Sequence, residues 1–396
     1  MWAGLGIAQP NGGGAVMSGF DRGTPGGMPV ETKFHPALAD LIVAHLGGPP
    51  GDVVPMEGGG SRRTYLRVTS VSGDSLVAVA CEAPAEARSF LGFTRHFAGK
   101  GVPVPAILAE NAVEGVYLLE DLGNVTMALQ LRRWRRQPDG QARMEEAMRG
   151  VLDWLAKIQV RGAEGLDEGL FTESRELDGR VFRADLERFL RHVPDVSEAG
   201  GMLSGPAQAE LDALIARLDA MPRPVFAYRD FQTRNIMWAN RDGAGRVVHA
   251  GRRGEVPPDT TGGPVFLDYQ SGRHGAPAYD LASLLYSPDS GLDSAQRAGM
   301  TAYYARALTR EGLTTEAGAL LEDLRPMVLI RRLQALGAYA ALAVGADDPG
   351  KGQGFMNRMA PAARDLLALR QSGWLELGLP NLQAWIDWQL AGIAAI

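Results

Sequence analysis

Two short apolar runs constrain this chain most, because each leads directly into polar residues that can hold a charge or a metal. Val225-Phe-Ala-Tyr-Arg-Asp-Phe-Gln-Thr-Arg-Asn-Ile-Met-Trp238 delivers Asp230 and Asn235 on one loop before apolar character resumes, and Val265-Phe-Leu-Asp-Tyr-Gln270 presents Asp268. Runs of this length and composition, with Pro222 and Pro224 marking the entry to the first, read as strands. Asp-x-x-x-x-Asn alone is ordinary turn chemistry, since both residues hydrogen-bond their own backbone. With a third carboxylate at the end of a neighbouring strand, it becomes the set that phosphoryl transfer requires. One carboxylate accepts the acceptor hydroxyl's proton, and two oxygen ligands hold Mg²⁺ against the β- and γ-phosphates. On that reading Asp230, beside Arg229, is the base, and Asn235 and Asp268 are the metal ligands.

Arg229-Asp230-x-x-x-x-Asn235 matches three of the four fixed positions of the kinase catalytic loop His-Arg-Asp-x-x-x-x-Asn. Tyr228 replaces the His, and Asp268-Tyr-Gln270 stands where Asp-Phe-Gly would. Downstream, Ala278-Tyr-Asp-Leu-Ala-Ser-Leu-Leu285 puts Asp280 just before an apolar helical run. This ensemble resembles the aminoglycoside-phosphotransferase and choline-kinase branch of the protein-kinase-like fold. Within that branch, Asp230-Phe-Gln-Thr-Arg-Asn235 and Tyr279-Asp-Leu-Ala-Ser-Leu-Leu285 are similar to the bacterial cell-wall sugar kinases that phosphorylate N-acetylmuramate and N-acetylglucosamine at the anomeric hydroxyl. The resemblance spans roughly residues 50 to 345. It implies a bilobal α+β fold, with a small antiparallel N-lobe over residues 33–121, a large, mostly helical C-lobe over 122–396, and ATP with Mg²⁺ as cofactors.

The composition is globular: 396 residues, 45% hydrophobic and 22% charged, enough for two lobes with separate cores. The net charge of −6 argues against a nucleic-acid partner. Only Lys33, Lys100, Lys157 and Lys351 are lysines among the 40 basic residues, so Arg is the default cation and Arg132-Arg-Trp-Arg-Arg136 reads as a solvated helix face. A single cysteine, Cys81, rules out an intramolecular disulfide and reads as a small core residue. No run reads as a membrane span, and the Gly-rich residues 1–32 read as a flexible tail rather than a signal peptide, with Met17 or Met28 as alternative starts. A cytoplasmic location is the corresponding expectation.

Before the catalytic loop, Val53 to Val68 reads as strand, Gly-rich turn, strand. Gly58, Gly59, Gly60 and Ser61 form a turn able to bring backbone N–H groups close to phosphate oxygens. The next strand, Leu76-Val-Ala-Val-Ala-Cys-Glu82, lacks the Lys that kinases place there. An Arg from Arg62-Arg63-Thr-Tyr-Leu-Arg67 is the expected substitute. Strand alternation puts Arg63 and Arg67 on one face and turns Arg62 away, and Glu82 or Glu86 would orient the guanidinium. Cys81-Glu-Ala-Pro84 is similar to the strand end of the cell-wall sugar kinases, which favours substitution over loss of the site. Gly115 to Gly123 reads as a strand ending in a hinge, where the resemblance implies adenine contacts through backbone groups from Glu120 to Leu122.

Helices are expected over Met144–Gln159, Ala295–Arg310, Leu324–Ala343 and Met359–Arg370, and residues 240–264 form an insertion expected to be an exposed hairpin loop. Only eight residues, 271–278, separate Gln270 from Tyr279. That leaves no room for a protein-kinase activation loop and favours a small-molecule acceptor. Residues 281–396 hold 11 acidic and 10 basic side chains. This balance lacks the acid excess a polycationic aminoglycoside wants, so a neutral or anionic sugar is preferred. Arg331 or Arg332 is a candidate to meet a lactyl carboxylate. Two alternatives stand beside this reading: an aminoglycoside or other small-molecule kinase, and a nucleotide-binding pseudokinase scaffold motivated by Tyr228 and the missing Lys.

Overall fold

A computed structural model describes residues 35–56, 63–172, 174–193, 203–248, 261–345 and 349–395. The small lobe is a five-stranded antiparallel sheet of β1 (Asp52–Pro55), β2 (Arg63–Thr69), β3 (Ser75–Cys81), β4 (Ile107–Asn111) and β5 (Val116–Glu120), in the order β1-β2-β3-β5-β4. Alternation along β2 and β3 divides the side chains between two faces. Leu66, Val68, Leu76, Ala78 and Ala80 pack with Leu38 and Ile42 of α1 (Pro36–Leu46) on the outer face. Val79, Cys81 and Tyr117 join the main core on the other face, beneath α2 (Pro84–Gly99). The Gly-rich turn expected at Gly58, Gly59, Gly60 and Ser61, with Arg62, lies outside the described residues.

The large lobe is helical apart from two short antiparallel pairs that carry the loop of interest. The run at Val225 becomes β6 (Val225–Ala227), which pairs with β9 (Arg273–Gly275), while β7 (Ile236–Arg241) pairs with β8 (Thr261–Phe266). The insertion therefore does connect two paired strands, although its residues 249–260 are outside the described set. The helices are α3 (Met127–Trp134), α4 (Gly140–Gln159), α5 (Gly179–His192), α6 (Gly205–Asp219), α7 (Pro277–Leu285), α8 (Ser294–Glu311), α9 (Ala317–Val344), α10 (Pro349–Gln371) and α11 (Pro380–Ala394). The basic cluster that closes α3 is tied to neighbouring groups. Arg132 sits beside Asp289, Arg135 donates to the Ser290 carbonyl, and Arg143 of α4 lies over the Trp134 ring.

Helices α9 and α10 begin well before the expected Leu324 and Met359, and each runs through a proline, Pro326 or Pro361. Proline has no N–H for the carbonyl four residues earlier. For Pro326 that carbonyl belongs to Glu322, and Arg217 of α6 donates to it at 3.1 Å. A tertiary contact thus repairs the local defect.

Helix α9 also departs from the expectation of no span-length apolar segment, since an 18-residue window reaches a mean hydropathy of 1.4. It is the central helix of the lobe, with Leu324, Val328, Ile330 and Leu336 in the core and Arg331 and Arg332 buried among them. α5 crosses it closely at Gly337, where an added Cβ would stand 2.7 Å from the Phe189 backbone N and Cα. Gly337→Ala should therefore destabilise the fold by about 1–3 kcal/mol, because overpacking against backbone outweighs the helix-propensity gain. Urea denaturation would measure this, and an equal or higher midpoint would show that the crossing has room.

Candidate active site

The loop between β6 and β7 has an unusual backbone. Arg229 adopts φ 77° and Asp268, two residues beyond β8, adopts φ 73°, and these are the only described non-glycine residues with positive φ. Such a conformation costs of order 1–3 kcal/mol for a side-chain-bearing residue and persists only where the surroundings enforce it. Asp280 in the first turn of α7 does the enforcing. Fully buried, its carboxylate accepts from the backbone N–H of Tyr228 at 2.7 Å and of Arg229 at 2.9 Å, and from Gln159 Nε2 at 2.8 Å. Burial pushes this carboxyl up to about 6, against the pull of those donors and of Arg331.

Tyr228 is a working part of the scaffold, although it departs from the kinase His. Its buried hydroxyl donates to the carbonyl of Leu267, and its ring packs edge-on against Phe231 at 5.0 Å and Tyr269 at 5.7 Å. The two loops are joined again by Leu267 N–H donating to the Asn235 carbonyl at 3.1 Å. Asn235 Nδ2 donates to the Asp230 carbonyl at 2.9 Å and to Asp268 Oδ2 at 3.2 Å. That leaves the amide oxygen of Asn235 beside the Asp268 carboxylate, itself about one-third exposed. Two adjacent hard oxygen donors open to solvent suit Mg²⁺, which takes one or two protein ligands and completes its shell with phosphates and water. Among the described residues no cluster of three or more His, Cys, Asp or Glu side chains could hold a metal on its own.

The small lobe brings a guanidinium to the same place. Arg63 pairs across the sheet with Cys81, so it shares a face with the β3 position that would otherwise carry a cation. It donates to Glu86 of α2 through Nε at 3.0 Å and Nη2 at 2.6 Å, to the Tyr65 hydroxyl at 2.9 Å, and to Asp268 Oδ1 at 3.2 Å. Burial works against its charge, but Tyr65, Asp268 and Glu86 outweigh it and keep the guanidinium protonated. Glu86, rather than Glu82, is the helix carboxylate that orients it.

Arg67 shares this face but sits at the hinge, a different place from the phosphate site expected for it. It makes a fork on Asp121 at 2.7 and 2.9 Å and reaches Asn124 at 2.8 Å. Burial alone would raise the Asp121 carboxyl, yet Arg67 and the Gly123 N–H hold it below its ordinary range. Glu120 pairs with Arg241 at 2.7 and 3.1 Å and its own N–H donates to the Ala106 carbonyl, while Leu122 packs with Ala239 and Val265. A cavity of about 820 Å³ is lined by Thr94, Arg95, Leu108, Glu120 and Arg241 and includes none of Asp230, Asn235 or Asp268.

Two further charged residues reach this loop, one at Arg229 and one at Asp230, and neither contact has a signature in the local sequence. Asp185 of α5 is buried and accepts from Arg229 at 3.4 Å, and Arg331 of α9 donates to Asp230 Oδ1 at 3.4 Å. A signal for Asp185 exists, since it shares the buried face of α5 with Phe182, Leu186 and Phe189, where a lone carboxylate is out of pattern. Arg332 points elsewhere, to the carbonyls of Tyr286 and Ala362 and to Asp365.

The model of the phosphotransferase enzyme family matches residues 52–248, from β1 through the Asp230 loop and β7. That stretch of the chain is similar to this family. An N-acetylmuramate/N-acetylglucosamine kinase of Pseudomonas aeruginosa is 30% identical over 258 residues, covering 62% of this chain and 64% of the relative, just under two thirds of its length. Among solved structures, a Plasmodium vivax ethanolamine kinase aligns with a TM-score of 0.49 at 11% identity, covering 78% of this chain and 81% of that one. A choline/ethanolamine kinase family protein of Mesorhizobium loti gives 0.49 at 14% identity, covering 89% and 99%. The small antiparallel lobe and the large helical lobe give the chain the α+β, two-lobed architecture expected from its sequence.

The Asp280 carboxyl sets a pH test for the family loop. Its folded-state value lies above the ordinary 3.8, so between about pH 4 and 6 the folded protein keeps a proton that the unfolded chain has released. The wild type should therefore lose stability relative to Asp280→Asn as pH rises through that window, with the difference flat above it. Urea midpoints of both proteins at pH 4.5 and 7.5 measure this, and a pH-independent difference would contradict it.

Proposed function

We propose that the protein transfers the γ-phosphoryl group of ATP to the anomeric hydroxyl of a free amino sugar, N-acetylmuramate or N-acetylglucosamine, in the cytoplasm. The observation that carries phosphoryl transfer is the convergence of Asp230, Asn235 and Asp268 from two loops, with Arg63 reaching Asp268 from the small lobe. Asp230 takes the hydroxyl proton as the sugar oxygen bonds to the γ-phosphorus and the bond to the ADP oxygen breaks. Asn235 Oδ1 and Asp268 are the ligands for Mg²⁺, which when bound neutralises charge on the β- and γ-phosphates. Arg63, held by Glu86, is the cation for the phosphates, and its guanidinium fork suits them. This arrangement also answers the two observations that favoured a scaffold: a cation is present, delivered from β2, and Tyr228 ties the two loops together.

The acceptor reading is supported by the name of the Pseudomonas relative and by the charge around the base. Asp185 and Asp230 are met by Arg188, Arg229 and Arg331, so the immediate surroundings carry no acid excess for a polycation. An anomeric hydroxyl is more acidic than a ring alcohol, so a carboxylate base is sufficient. Direct capture of a lactyl carboxylate by Arg331 is not part of the proposal, because that side chain is 5% exposed and already engaged.

Two measurements test the proposal. Activity is expected on the free sugars and lost on their 1-O-methyl glycosides, and equal rates on both would show that the anomeric oxygen is not the acceptor. Activity on aminoglycosides alone would favour that class instead. Arg63→Ala should raise the ATP KM or lower kcat by about 10-fold or more, on the scale of a lost charge-assisted contact. Arg67→Ala should act mainly on stability. The reverse pattern would move the phosphate cation to Arg67.

A further inference from the structure

We propose that Arg331 is a positioning residue that fixes which oxygen of Asp230 takes the acceptor's proton, with Asp185 holding the neighbouring Arg229. The inference rests on the reading of Asp230 as the base. Both partners of the Asp230 carboxylate among the described residues are on Oδ1: Arg331 Nη2 at 3.4 Å and Gln232 Nε2 at 3.5 Å. No described partner reaches Oδ2, and the side chain is 35% exposed. Oδ1 is thereby committed to the protein, and Oδ2 is the oxygen left for a hydroxyl in the cleft.

Arg331 can hold that carboxylate because it is itself held on every side. Its Nε donates to Ser283 Oγ at 2.8 Å, and its Nη1 donates to the Tyr279 hydroxyl at 3.4 Å and to Gln334. The guanidinium lies 5.2 Å from the centre of the Tyr279 ring. Four of its five N–H donors are thus in use, and only the one to Asp230 points at the loop. Ser283 and Tyr279 belong to α7, the helix whose Asp280 fixes the backbone of Tyr228 and Arg229. One helix therefore sets the loop's backbone directly and its carboxylate through Arg331.

Asp185 completes the arrangement from α5. It receives Arg229 at 3.4 Å and Arg188 at 3.7 Å on Oδ1, and its buried Oδ2 has no partner among the described residues. A buried carboxylate left half-satisfied is costly, so its retention beside a strained Arg229 is explained by the pull it exerts on that side chain. Signs alternate along Arg229, Asp185, Arg331 and Asp230, and loss of one member leaves a neighbour's charge unbalanced.

A double-mutant cycle tests the proposal, since a residue that acts only through Asp230 should have no further effect once Asp230 is gone. Arg331→Met should lower kcat by about 10²-fold, the scale of a misplaced catalytic group, while leaving the ATP KM unchanged. In an Asp230→Asn background the same substitution should change kcat no further. A merely structural Arg331 would reduce activity by the same factor in both backgrounds, and that outcome overturns the proposal. Because Arg331→Met removes one of the three positive charges that Asp185 feels, the cycle is repeated with Asp185→Asn/Arg331→Met and with Arg331→Lys, which restores charge without the fork and should recover only part of kcat. The rates are read with N-acetylglucosamine and N-acetylmuramate and also as MgATP hydrolysis with water as acceptor. A wild type that hydrolyses ATP but phosphorylates neither sugar refutes the acceptor assignment alone, and the cycle is then read on hydrolysis. If Asp230→Asn is harmless, or the wild type does neither reaction, the positioning role falls as well.

Discussion

One fully buried carboxylate, that of Asp280, holds together the part of the molecule on which everything else depends. It turns the N–H groups of Tyr228 and Arg229 inward, and only with that support does Arg229 keep a left-handed backbone. The cost of burying the charge is visible in its raised ionisation, and three donors offset it. Local strain and a desolvated acid are both unfavourable alone. Placed in contact, each is the reason the other persists, an arrangement common where a backbone must present a side chain at a defined angle.

From that anchor an aromatic column carries the order of the loop into the small lobe. Tyr228 meets Tyr269, Tyr269 stacks on Phe90 at 5.4 Å, and Phe90 stacks on Tyr117 at 5.1 Å. Tyr269 also shares a 2.5 Å hydrogen bond with Thr94 of α2. Aromatic pairs of this kind are worth about 0.5–1.5 kcal/mol each beyond their burial. Since α2 also carries Glu86, the helix that orients Arg63 is the helix that packs on the residue following Asp268. Arg63 and Asp268 are therefore referenced to one rigid element.

How much of this could be read from the chain follows from what each residue depends on. Asp230, Asn235 and Asp268 were legible because their placement depends on local spacing inside apolar runs. Asp280 was noted only as the start of a helix; its hydrogen bonds cross about 50 residues of sequence and have no local signature. Arg63 and Arg67 could not be told apart from sequence because alternation places both on one face; register against β3 sets them opposite Cys81 and Val77, in different surroundings. Asp185 meets Arg229, and Arg331 meets Asp230, through the crossing of α5 and α9; the buried carboxylate of α5 was out of pattern, but its partner across the crossing has no local signature. Helices α9 and α10 start before the expected Leu324 and Met359, and in α9 the carbonyl freed by Pro326 is satisfied from α6.

The dependence on register gives the far end of the β2–β3 hairpin an unexpected reach. The turn from Ser70 to Asp74 closes with Ser70 N–H donating to the Asp74 carbonyl at 2.8 Å, and Gly73 at φ 97° supplies the conformation that other residues avoid. That turn works as the zero mark of a ruler. Every residue back along β2 is counted from it, and the count reaches Cys81 at Arg63. Lengthening or shortening the turn by one residue would rotate the whole strand by half a period, sending Arg63 to the outer face under α1 and turning Thr64 toward the cleft. The placement of Arg63 is thus guarded by the length of a solvent-exposed turn at the opposite end of its strand.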